Sequence, residues 1–388
     1  MKKKLLVTAS TFPRYEGDSE PRFVLDLCKE LNRYFDVTVL VPAAIGAKDK
    51  EILEGIKVIR YHYFPIKKYQ TLCYPGAIVP RIKEKKIRIL LVPFLFLALF
   101  CKLFQILPNY DVVHAHWILP QGIVQGFFKK PYILTGHGGD VTSLNKGILR
   151  VLKKKALKNA SYVTTVSSAL MEEVNKIYKV KKSDVISMGC NVKNFSSSFR
   201  KENYFSQNNK KIVLFVGRLA EKKGVTYLIA AMKSVDAKLI IAGDGPLEST
   251  LREQASEYGE KIEFIGAKTH EELKIIYASS DIFVAPSVTA TDGDKEGFGL
   301  VILEAMASGL PVIASKSGGI PDLLTDGQEG YLTKEKDPDD IAEKINIVLN
   351  DNQLYDRMSL NAIHTAQKYD YKLIAQKYAR IIDNIEKG

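Results

Sequence analysis

A polar loop continues directly into an apolar helix in the stretch Glu296-Gly297-Phe298-Gly299-Leu300-Val301-Ile302-Leu303-Glu304-Ala305-Met306-Ala307. The first backbone N–H groups of a helix lack intrahelical partners and carry positive partial charge, so they can seat a phosphate. Glu296 precedes this helix, and Glu304 lies about two turns further on, on the face of the first turn. This pattern fits a nucleotide sugar, with Glu304 accepting hydrogen bonds from the ribose and Glu296 from the sugar. The alternative is a helix capped by one acid, with a second acid buried.

The length and composition predict a globular chain of two domains. The chain has 388 residues and is 46% hydrophobic, which is enough for ordinary cores in two domains. Its four cysteines are far apart and form no Cys-x-x-Cys pair, so a reduced, cytoplasmic location is expected. Lys2–Lys4 lead into the short strand-like run 5–9, which lacks the long apolar segment of a signal peptide.

Charge is shared unevenly between the two halves of the chain. Residues 1–200 hold 33 Lys and Arg against 15 Asp and Glu, whereas the remainder holds 23 against 29. A basic half indicates an anionic surface or substrate. Nucleic acid is not expected as a partner, because the sequence has no zinc finger, RRM signature or basic heptad region. An anionic membrane surface, which would make the protein peripheral, and a phosphate-bearing acceptor remain alternatives.

Strand and helix patterns alternate twice along the chain, with a break between the two series. The polar, aperiodic segment 196–211 is predicted to be a linker between domains 1–195 and 212–370. Alternating β and α elements imply an α/β fold of two doubly wound parallel sheets, facing each other across a cleft. Residues 338–387 are helical by pattern. In the second domain the predicted strands are Ile212–Gly217, Leu239–Gly243, Ile262–Ile265, Ile282–Ala285 and Val312–Ser315.

The apolar run 89–101 follows a basic cluster at 81–88. The run is 13 residues long, short of the ~20 needed to span a bilayer, and Pro93 and Lys102 also argue against a span. A helix buried against the sheet is the favoured interpretation. The alternative is a basic, apolar helix that lies on a membrane surface.

Two histidine-bearing segments end strands of the first half. Alternate His114 and His116 do not complete a metal-binding set, so a structural role or a place in an acceptor wall is favoured. His137 stands in Gly136-His137-Gly138-Gly139-Asp140, where glycines at a strand end expose the ring. The loop 11–20 after the first strand is long for a βα connection, and such loops usually carry function in open α/β sheets.

In the second half, Arg218 and Lys223 lie in the glycine-bounded loop 217–224 after a strand, and two cations there fit a diphosphate. The Gly-Asp-Gly-Pro turn at 243–246 is interpreted as a tight βα turn, since Glu248 occupies the third glycine position of a dinucleotide fingerprint. The segment Asp292-Gly293-Asp294 fits a turn as well as a metal site, and no metal is expected.

Together these motifs resemble one family, the retaining GT-B glycosyltransferases of group 1 (family 4). The resemblance covers nearly all of the second half; in the first half it rests chiefly on the loop at 136–140 and on Trp117-Ile118-Leu119-Pro120. The motifs that carry it in the second half are Gly-Arg-Leu-x-x-x-Lys-Gly at 217–224, Gly-Asp-Gly-Pro at 243–246, Phe264-Ile265-Gly266, Glu296 with Glu304, and Gly-Gly-Ile-Pro-Asp at 318–322.

The resemblance implies two Rossmann-like domains, the first for the acceptor and the second for a UDP- or GDP-sugar, with the final helix 371–388 crossing back onto the first. It implies catalysis by His137, Arg218, Lys223 and Glu296 without a metal or other cofactor, and a saccharide or lipid-linked saccharide acceptor. The acceptor-binding residues carried over are Asp18, Trp117, His137 and Asp140. The donor-binding residues carried over are Gly17, Arg218, Lys223, Ile265, Gly266, Glu296, Phe298, Gly299, Leu300, Val301 and Glu304.

One departure from the family pattern lies in the first βα loop. Many members have a Gly-Gly pair there, near the donor phosphates, whereas this loop reads Tyr15-Glu16-Gly17-Asp18. The expected reaction is sugar transfer to an acceptor hydroxyl with retention at the anomeric carbon. Two alternatives are an epimerase of nucleotide sugars and a non-catalytic basic protein that binds membranes or nucleic acid. Intact Arg218, Lys223, Glu296 and Glu304 argue against the second alternative.

Overall fold

A computed structural model describes residues 2–18, 20–205 and 210–385. The chain forms two compact units, Met1–Ser187 with Tyr371–Gly388, and Met188–Asp370. The division therefore falls at 187/188, ahead of the predicted linker 196–211. Part of that segment packs on the second unit, since Arg200 bonds the carbonyl oxygen of Ser280 at 3.1 Å and pairs with Asp281. Residues 206–209 and 386–388 of the predicted linker and final helix lie outside the described residues.

The first unit contains an eight-stranded sheet among its described residues, in the order β3-β4-β2-β1-β5-β6-β7-β8. Neighbouring strands are parallel except for β3, which pairs antiparallel with β4. The strands are β1 Lys4–Thr8, β2 Asp36–Pro42, β3 Lys50–Leu53, β4 Ile56–Tyr61, β5 Val112–His116, β6 Tyr132–Gly136, β7 Tyr162–Thr165 and β8 Ser183–Val185.

Helices of the first unit pack on this sheet through apolar stripes. The core beside β1 and β2 is shared by α1 and the C-terminal α14, which brings Ile374, Tyr378 and Ile382 against Val24 and Leu31. The final helix therefore belongs to the first unit. The helices are α1 Phe23–Leu31, α2 Ile78–Glu84, α3 Val92–Ile106, α4 Ile123–Gln125, α5 Gly139–Thr142, α6 Gly147–Asn159, α7 Ser168–Ile177 and, at the end of the chain, α14 Tyr371–Asn384.

The second unit contains a wholly parallel sheet, six-stranded within the described residues, in the order β11-β10-β9-β12-β13-β14. Helices of this unit cover its apolar strands and form one core with them. The strands are β9 Ile212–Val216, β10 Lys238–Ala242, β11 Ile262–Gly266, β12 Ile282–Ala285, β13 Val312–Ser315 and β14 Gly330–Thr333. The helices are α8 Val225–Ala231, α9 Glu248–Ala255, α10 His270–Ala278, α11 Leu300–Ala307, α12 Pro338–Asn350 and α13 Asn352–Gln367.

Helix α3 contains most of the apolar run 89–101, and the favoured prediction that this run is buried is wrong for half of the helix. Leu95, Leu99 and Leu103 are buried, but Leu97 and Phe104 on the other side are largely exposed. Burial of one stripe is enough to dock the helix, so the remaining apolar side chains contact solvent. Together with the residues around it, α3 forms a 24-residue helical segment, Lys86–Asn109, long and apolar enough to cross a membrane by length and composition alone.

Candidate functional site

The carboxyl ends of the parallel strands of the second unit gather the predicted donor-binding loops at one sheet edge. Lys223 follows β9, while Glu296 and Gly299 follow β12. These three residues line one small pocket with Ser287 and Val301. The sequence therefore located several of the residues that meet at this edge. Ser287 was missed, because a serine directly after a strand carries no pattern of its own.

Two glycines allow the loops at this edge to touch. Gly224 has a φ of +63°, and a Cβ there would lie 1.9 Å from the carbonyl oxygen of Pro286. A Cβ on Gly243 would lie 1.9 Å from the carbonyl oxygen of Gly217. Any side chain at these positions would therefore force the strand-end loops apart. The glycines of the loop 217–224 and of the Gly-Asp-Gly-Pro turn are explained by this close backbone packing.

Glu296 forms an ion pair with Lys223 inside the pocket. Nζ of Lys223 lies 2.5 Å from Oε2 of Glu296, and the two side chains are only 17% and 14% exposed. Burial works to raise the pKa of Glu296, but the nearby charges of Lys223 and Lys222, together with the backbone N–H of Phe298, lower it to about 2. Glu296 is therefore a carboxylate at neutral pH, suited to accepting hydrogen bonds.

The N-terminus of α11 lies next to this pair. Phe298 is buried, and Gly299, with a φ of +94°, is the residue that turns the chain into the helix. Leu300 and Val301 form the first turn, and Val301 contributes to the pocket. No side chain caps this helix end, so its first N–H groups point towards whatever occupies the neighbouring space. The predicted phosphate seat thus lies beside a lysine.

Glu304 is buried in the second unit. Its Oε2 accepts a hydrogen bond of 3.0 Å from the hydroxyl of Tyr277 in α10. This bond fixes the Glu304 side chain, and a carboxylate can accept several hydrogen bonds at once. Tyr277 was not singled out from the sequence, because a tyrosine on the apolar face of a helix looks like an ordinary core residue.

The remaining predicted donor-binding residues of this unit also lie at strand ends. Arg218 is exposed directly after β9, and Ile265 and Gly266 end β11 with partial exposure. The carbonyl oxygen of Gly266 accepts a hydrogen bond of 2.9 Å from the N–H of Gly243. The loops after β9, β10 and β11 are therefore neighbours along one edge.

The two aspartates of the Asp-Gly-Asp turn are engaged with their own loop and its neighbour. Oδ1 of Asp292 accepts a hydrogen bond of 3.1 Å from the N–H of Asp294. Asp294 lies 3.0 Å from Nζ of Lys222. These contacts fit the turn interpretation. Within the described residues, no group of three or more His, Cys, Asp and Glu is arranged to hold a metal ion.

In the first unit, His137 belongs to a row of three histidine rings. His116 and His137 are joined by a hydrogen bond of 2.9 Å between Nδ1 and Nε2, and the rings of His114 and His116 lie 4.1 Å apart. Nε2 of His114 is 2.8 Å from the hydroxyl of Thr135. Burial lowers the pKa of His116 to about 3 and those of His114 and His137 well below the usual range. All three rings are therefore neutral at pH 7.

His137 is held on its other side by aromatic rings. Its centroid lies 4.8 Å from that of Trp117 and 5.2 Å from that of Phe23. Trp117 itself has a φ of +71°, a backbone conformation that residues other than glycine rarely adopt. His137 is partly exposed, as the glycine-flanked turn predicts. Phe23 was not predicted, since nothing in the first helix marks it as part of a site.

The two aspartates predicted to bind the acceptor, Asp18 and Asp140, are hydrogen-bonded within the first unit. Asp140 accepts hydrogen bonds of 2.8 to 3.0 Å from the backbone N–H groups of Ile118, His137 and Gly138. Asp18 is buried and pairs with Arg14 through both carboxylate oxygens, and it also accepts from the hydroxyl of Tyr74. These bonds hold the loops that carry Asp18 and Asp140, and the acceptor-binding role of both residues stays a prediction.

Gly17, predicted to contact the donor, lies in the loop held by Asp18. It is exposed, has a φ of +82° and has open space around it. The neighbouring Ser19 lies outside the described residues. The loop is fixed from the sheet by Arg60, whose guanidinium donates to the carbonyl oxygen of Pro13 at 2.8 Å.

Comparison with known proteins identifies the family. Residues 197–365 match the model described as Glycosyl transferases group 1, and residues 21–194 match that described as Glycosyltransferase Family 4. An uncharacterized glycosyltransferase, MJ1607 of Methanocaldococcus jannaschii, is 31% identical over 70% of this chain and 75% of its own. This chain is a group 1 glycosyltransferase.

Solved structures show that the glycosyltransferase has the GT-B fold. A sucrose-phosphate synthase from Thermosynechococcus elongatus matches all of both chains with a TM-score of 0.79 at 22% identity. Anabaena Alr3699/HepE, solved with UDP and glucose, matches 98% of this chain and all of its own with a TM-score of 0.74 at 22% identity. The predicted fold class of two Rossmann-like, parallel-sheet domains is thereby confirmed.

Proposed function

We propose that this glycosyltransferase moves a sugar from a UDP- or GDP-sugar to an acceptor hydroxyl with retention of the anomeric configuration. The observation that carries the proposal is the partly buried Lys223–Glu296 pair at the N-terminus of α11. It places a cation, a carboxylate and a helix N-terminus at one sheet edge. A ligand with a negative centre and a hydroxylated end meets all three, and a sugar diphosphate is such a ligand.

Arg218, Lys223 and the first turn of α11 would bind the diphosphate. Negative charge grows on this group as it leaves, so donors fixed before the reaction stabilise the transition state most. Lys223 is already held by Glu296, which limits the reorganisation needed on binding. Arg218 is exposed, and its guanidinium can move to form bidentate hydrogen bonds with the phosphates.

Glu296 and Glu304 would form hydrogen bonds with the two ends of the donor. Glu296 remains ionised at neutral pH and would hold hydroxyls of the sugar, with no role as a nucleophile. Glu304, fixed by Tyr277, would accept hydrogen bonds from the ribose. Ile265 and Gly266 would lie near the base. The proton of the acceptor hydroxyl would pass to an oxygen of the departing diphosphate.

His137 and Trp117 of the first unit would contact the reacting sugar and the acceptor. A neutral imidazole can donate a hydrogen bond to a hydroxyl, or accept one from it, without bringing a charge into the site. The acceptor is a saccharide or lipid-linked saccharide in glycan biosynthesis, and the enzyme works in the cytoplasm. No metal is needed, because Arg218, Lys223 and the helix N-terminus already offset the charge of the diphosphate.

A two-stage experiment tests this function. Thermal unfolding with UDP, GDP and ADP would identify the nucleotide, and the matching sugar nucleotides would then be incubated with pooled saccharide and lipid-linked acceptors. Transfer with an α-linked donor should give an α-linked product, read from the anomeric proton coupling. An inverted product would refute retention. Conversion of the donor to its epimer without any acceptor would instead support the epimerase alternative.

A further inference from the structure

The outer side of α3 carries an apolar row that the described residues of its own unit leave largely exposed. Phe94, Leu97, Cys101 and Phe104 are exposed and recur at intervals of three and four residues, so they share one side of the helix. Leu97 is 61% exposed and Phe104 is 72% exposed. We call these four residues the α3 outer row. Contiguous apolar surface of this kind usually marks an interaction site.

Aromatic contacts of Phe94 and of the neighbouring Phe100 extend the apolar surface around this row, and each extension reaches a lysine. At one end the ring of Phe94 lies 5.5 Å from that of Phe64, which contacts Tyr69 beneath Nζ of Lys68. Further along α3, Phe100, which is not part of the row, lies 6.5 Å from Phe127, and Nζ of Lys155 is 3.8 Å from the centre of the Phe127 ring. The apolar row is thus flanked by positive charge.

The segment that leads into α3 repeats the combination of apolar and basic residues. Ile87, Ile89 and Leu90 are exposed large apolar side chains. The lysines at positions 83, 85 and 86 are exposed beside them. Glu84 is the only acidic residue between positions 78 and 110, and it is bound by Arg81 and Arg88. The segment therefore presents an excess of positive charge around its apolar side chains.

We propose that the α3 outer row and its flanking lysines dock the first unit on an anionic phospholipid surface. The apolar side chains would enter the boundary between headgroups and acyl chains, while the lysines meet the lipid phosphates. A second copy of the chain fits less well, because its own lysines would be brought against these. The proposal goes beyond the sugar transfer proposed above and requires neither its donor nor its acceptor.

The docking is peripheral. Although Lys86–Asn109 is long enough to span a bilayer, Leu95, Leu99 and Leu103 are fully buried in the first unit. A span would pull all three out of the core of this unit, whereas surface docking leaves them in place. Because attraction to anionic lipid is screened by salt, the attachment should be reversible.

Vesicle sedimentation tests the surface. The full chain should bind phosphatidylglycerol-containing vesicles at low salt and bind neutral phosphatidylcholine vesicles much more weakly. The double variant Leu97→Asp with Phe104→Asp should lose binding by about tenfold or more. Leu360→Asp, at a 58% exposed leucine of the second unit, should bind like the wild type. Equal binding of the double variant and the wild type, or no binding of the wild type, would overturn the proposal.

Cys101 supplies a second measurement that does not depend on the folding of a charged variant. It is the exposed member of the four cysteines; Cys28, Cys73 and Cys190 are buried. An environment-sensitive fluorophore on Cys101 should shift to the blue on anionic vesicles and be quenched by brominated lipid. The same label on Leu360→Cys in a Cys101→Ser background should not respond.

Absence of a response at Cys101 would contradict the proposal, and resistance of the bound protein to a high-salt wash would contradict peripheral docking in favour of a span. Donor binding is measured separately, as thermal stabilisation by UDP or GDP without vesicles. Nucleotide stabilisation without vesicle binding would therefore mean that the docking surface fails. Vesicle binding without nucleotide stabilisation would mean that the proposed transfer reaction fails.

Discussion

The hydroxyl of Tyr277 lies 3.0 Å from Oε2 of Glu304, so a core tyrosine holds the carboxylate proposed to bind the ribose. Tyr277→Phe keeps the ring and removes this donor. We expect severalfold weaker nucleotide binding and a loss of about 1–3 kcal/mol in the free energy of unfolding, because a buried carboxylate oxygen loses the hydrogen bond from Tyr277. Calorimetry and denaturant unfolding measure the two effects, with Tyr355→Phe as the control. Unchanged nucleotide affinity would separate Glu304 from the donor site.

Substitution of either cation at the end of β9 should remove most nucleotide-induced stabilisation. Arg218→Ala and Lys223→Ala each delete a proposed partner of the diphosphate, whereas Lys233→Ala deletes an exposed lysine of the same unit. UDP or GDP should raise the Tm of the wild type and of the Lys233 variant and leave the other two nearly unchanged. Equal shifts in all four proteins would refute the diphosphate assignment.

Glu296 and Glu304 should differ in the kinetic constant they affect. If Glu296 holds the sugar in its reacting geometry, Glu296→Ala should lower kcat by on the order of 10²-fold or more. Glu304→Ala should mainly raise KM for the donor, since the ribose is bound alike in the ground and transition states. Steady-state kinetics with varied donor distinguish the two. The reverse pattern would exchange the two roles.

Turnover should persist in excess EDTA. Asp294 is already paired with Lys222, and positive groups at the sheet edge offset the phosphate charge without a metal. Product formation would be followed before and after chelation. A loss of activity that Mg²⁺ or Mn²⁺ restores would show that the transfer needs a cation after all.

The histidine row should make the first unit less stable in mild acid. Its rings are neutral when folded, with lowered pKa values, but take up protons near pH 6.5 when unfolded. The unfolded chain thus binds more protons, and this stability, complete above about pH 6.5, is lost as the pH falls. Each histidine contributes a slope of about 1.4 kcal/mol per pH unit below that point.

Trp117 reports this unfolding directly, because it is the only tryptophan of the chain and lies against His137. Denaturant unfolding followed by its fluorescence should show a shallower pH dependence between pH 6.5 and 5 in His116→Gln. The exposed His364 of the second unit offers a matched control, and His364→Gln should keep the slope of the wild type. Identical slopes in all three proteins would mean that the row is protonated when folded.

The alternation of elements was enough to predict the two parallel sheets, because strand and helix periods are local properties of the sequence. Three strands were missed because polar residues or glycine break their apolar pattern. They are Lys50–Leu53, Ile56–Tyr61 and Gly330–Thr333, whereas the equally short but more apolar runs Ile282–Ala285 and Val312–Ser315 were predicted. The exposure of Leu97 was also beyond prediction, since composition gives the apolar character of a helix but not how much of its circumference the fold covers.

The sequence allowed individual site residues to be predicted, but not the contacts between them. The sequence marked Lys223 and Glu296 separately, but they are 73 residues apart, and their contact depends on how the loops after β9 and β12 fold. Likewise, His116 meets His137 because the register of β5 and β6 sets His116 beside Thr135. The backbone N–H groups that bond to Asp140 were not predictable either, because a carboxylate in a glycine-rich turn gives no sign of its partners.

Because α14 packs in the first unit, the two units become complete in a fixed order during synthesis on the ribosome. Tyr378 meets Thr135 across 243 positions of the chain, so the groove beside α1 stays open until α14 has been synthesised. The second unit is continuous, from Met188 to Asp370, and has all of its chain before then. A nascent chain that has completed Met188–Asp370 therefore still lacks the helix that completes the core of the first unit, and a premature stop before Tyr371 would leave that core without α14.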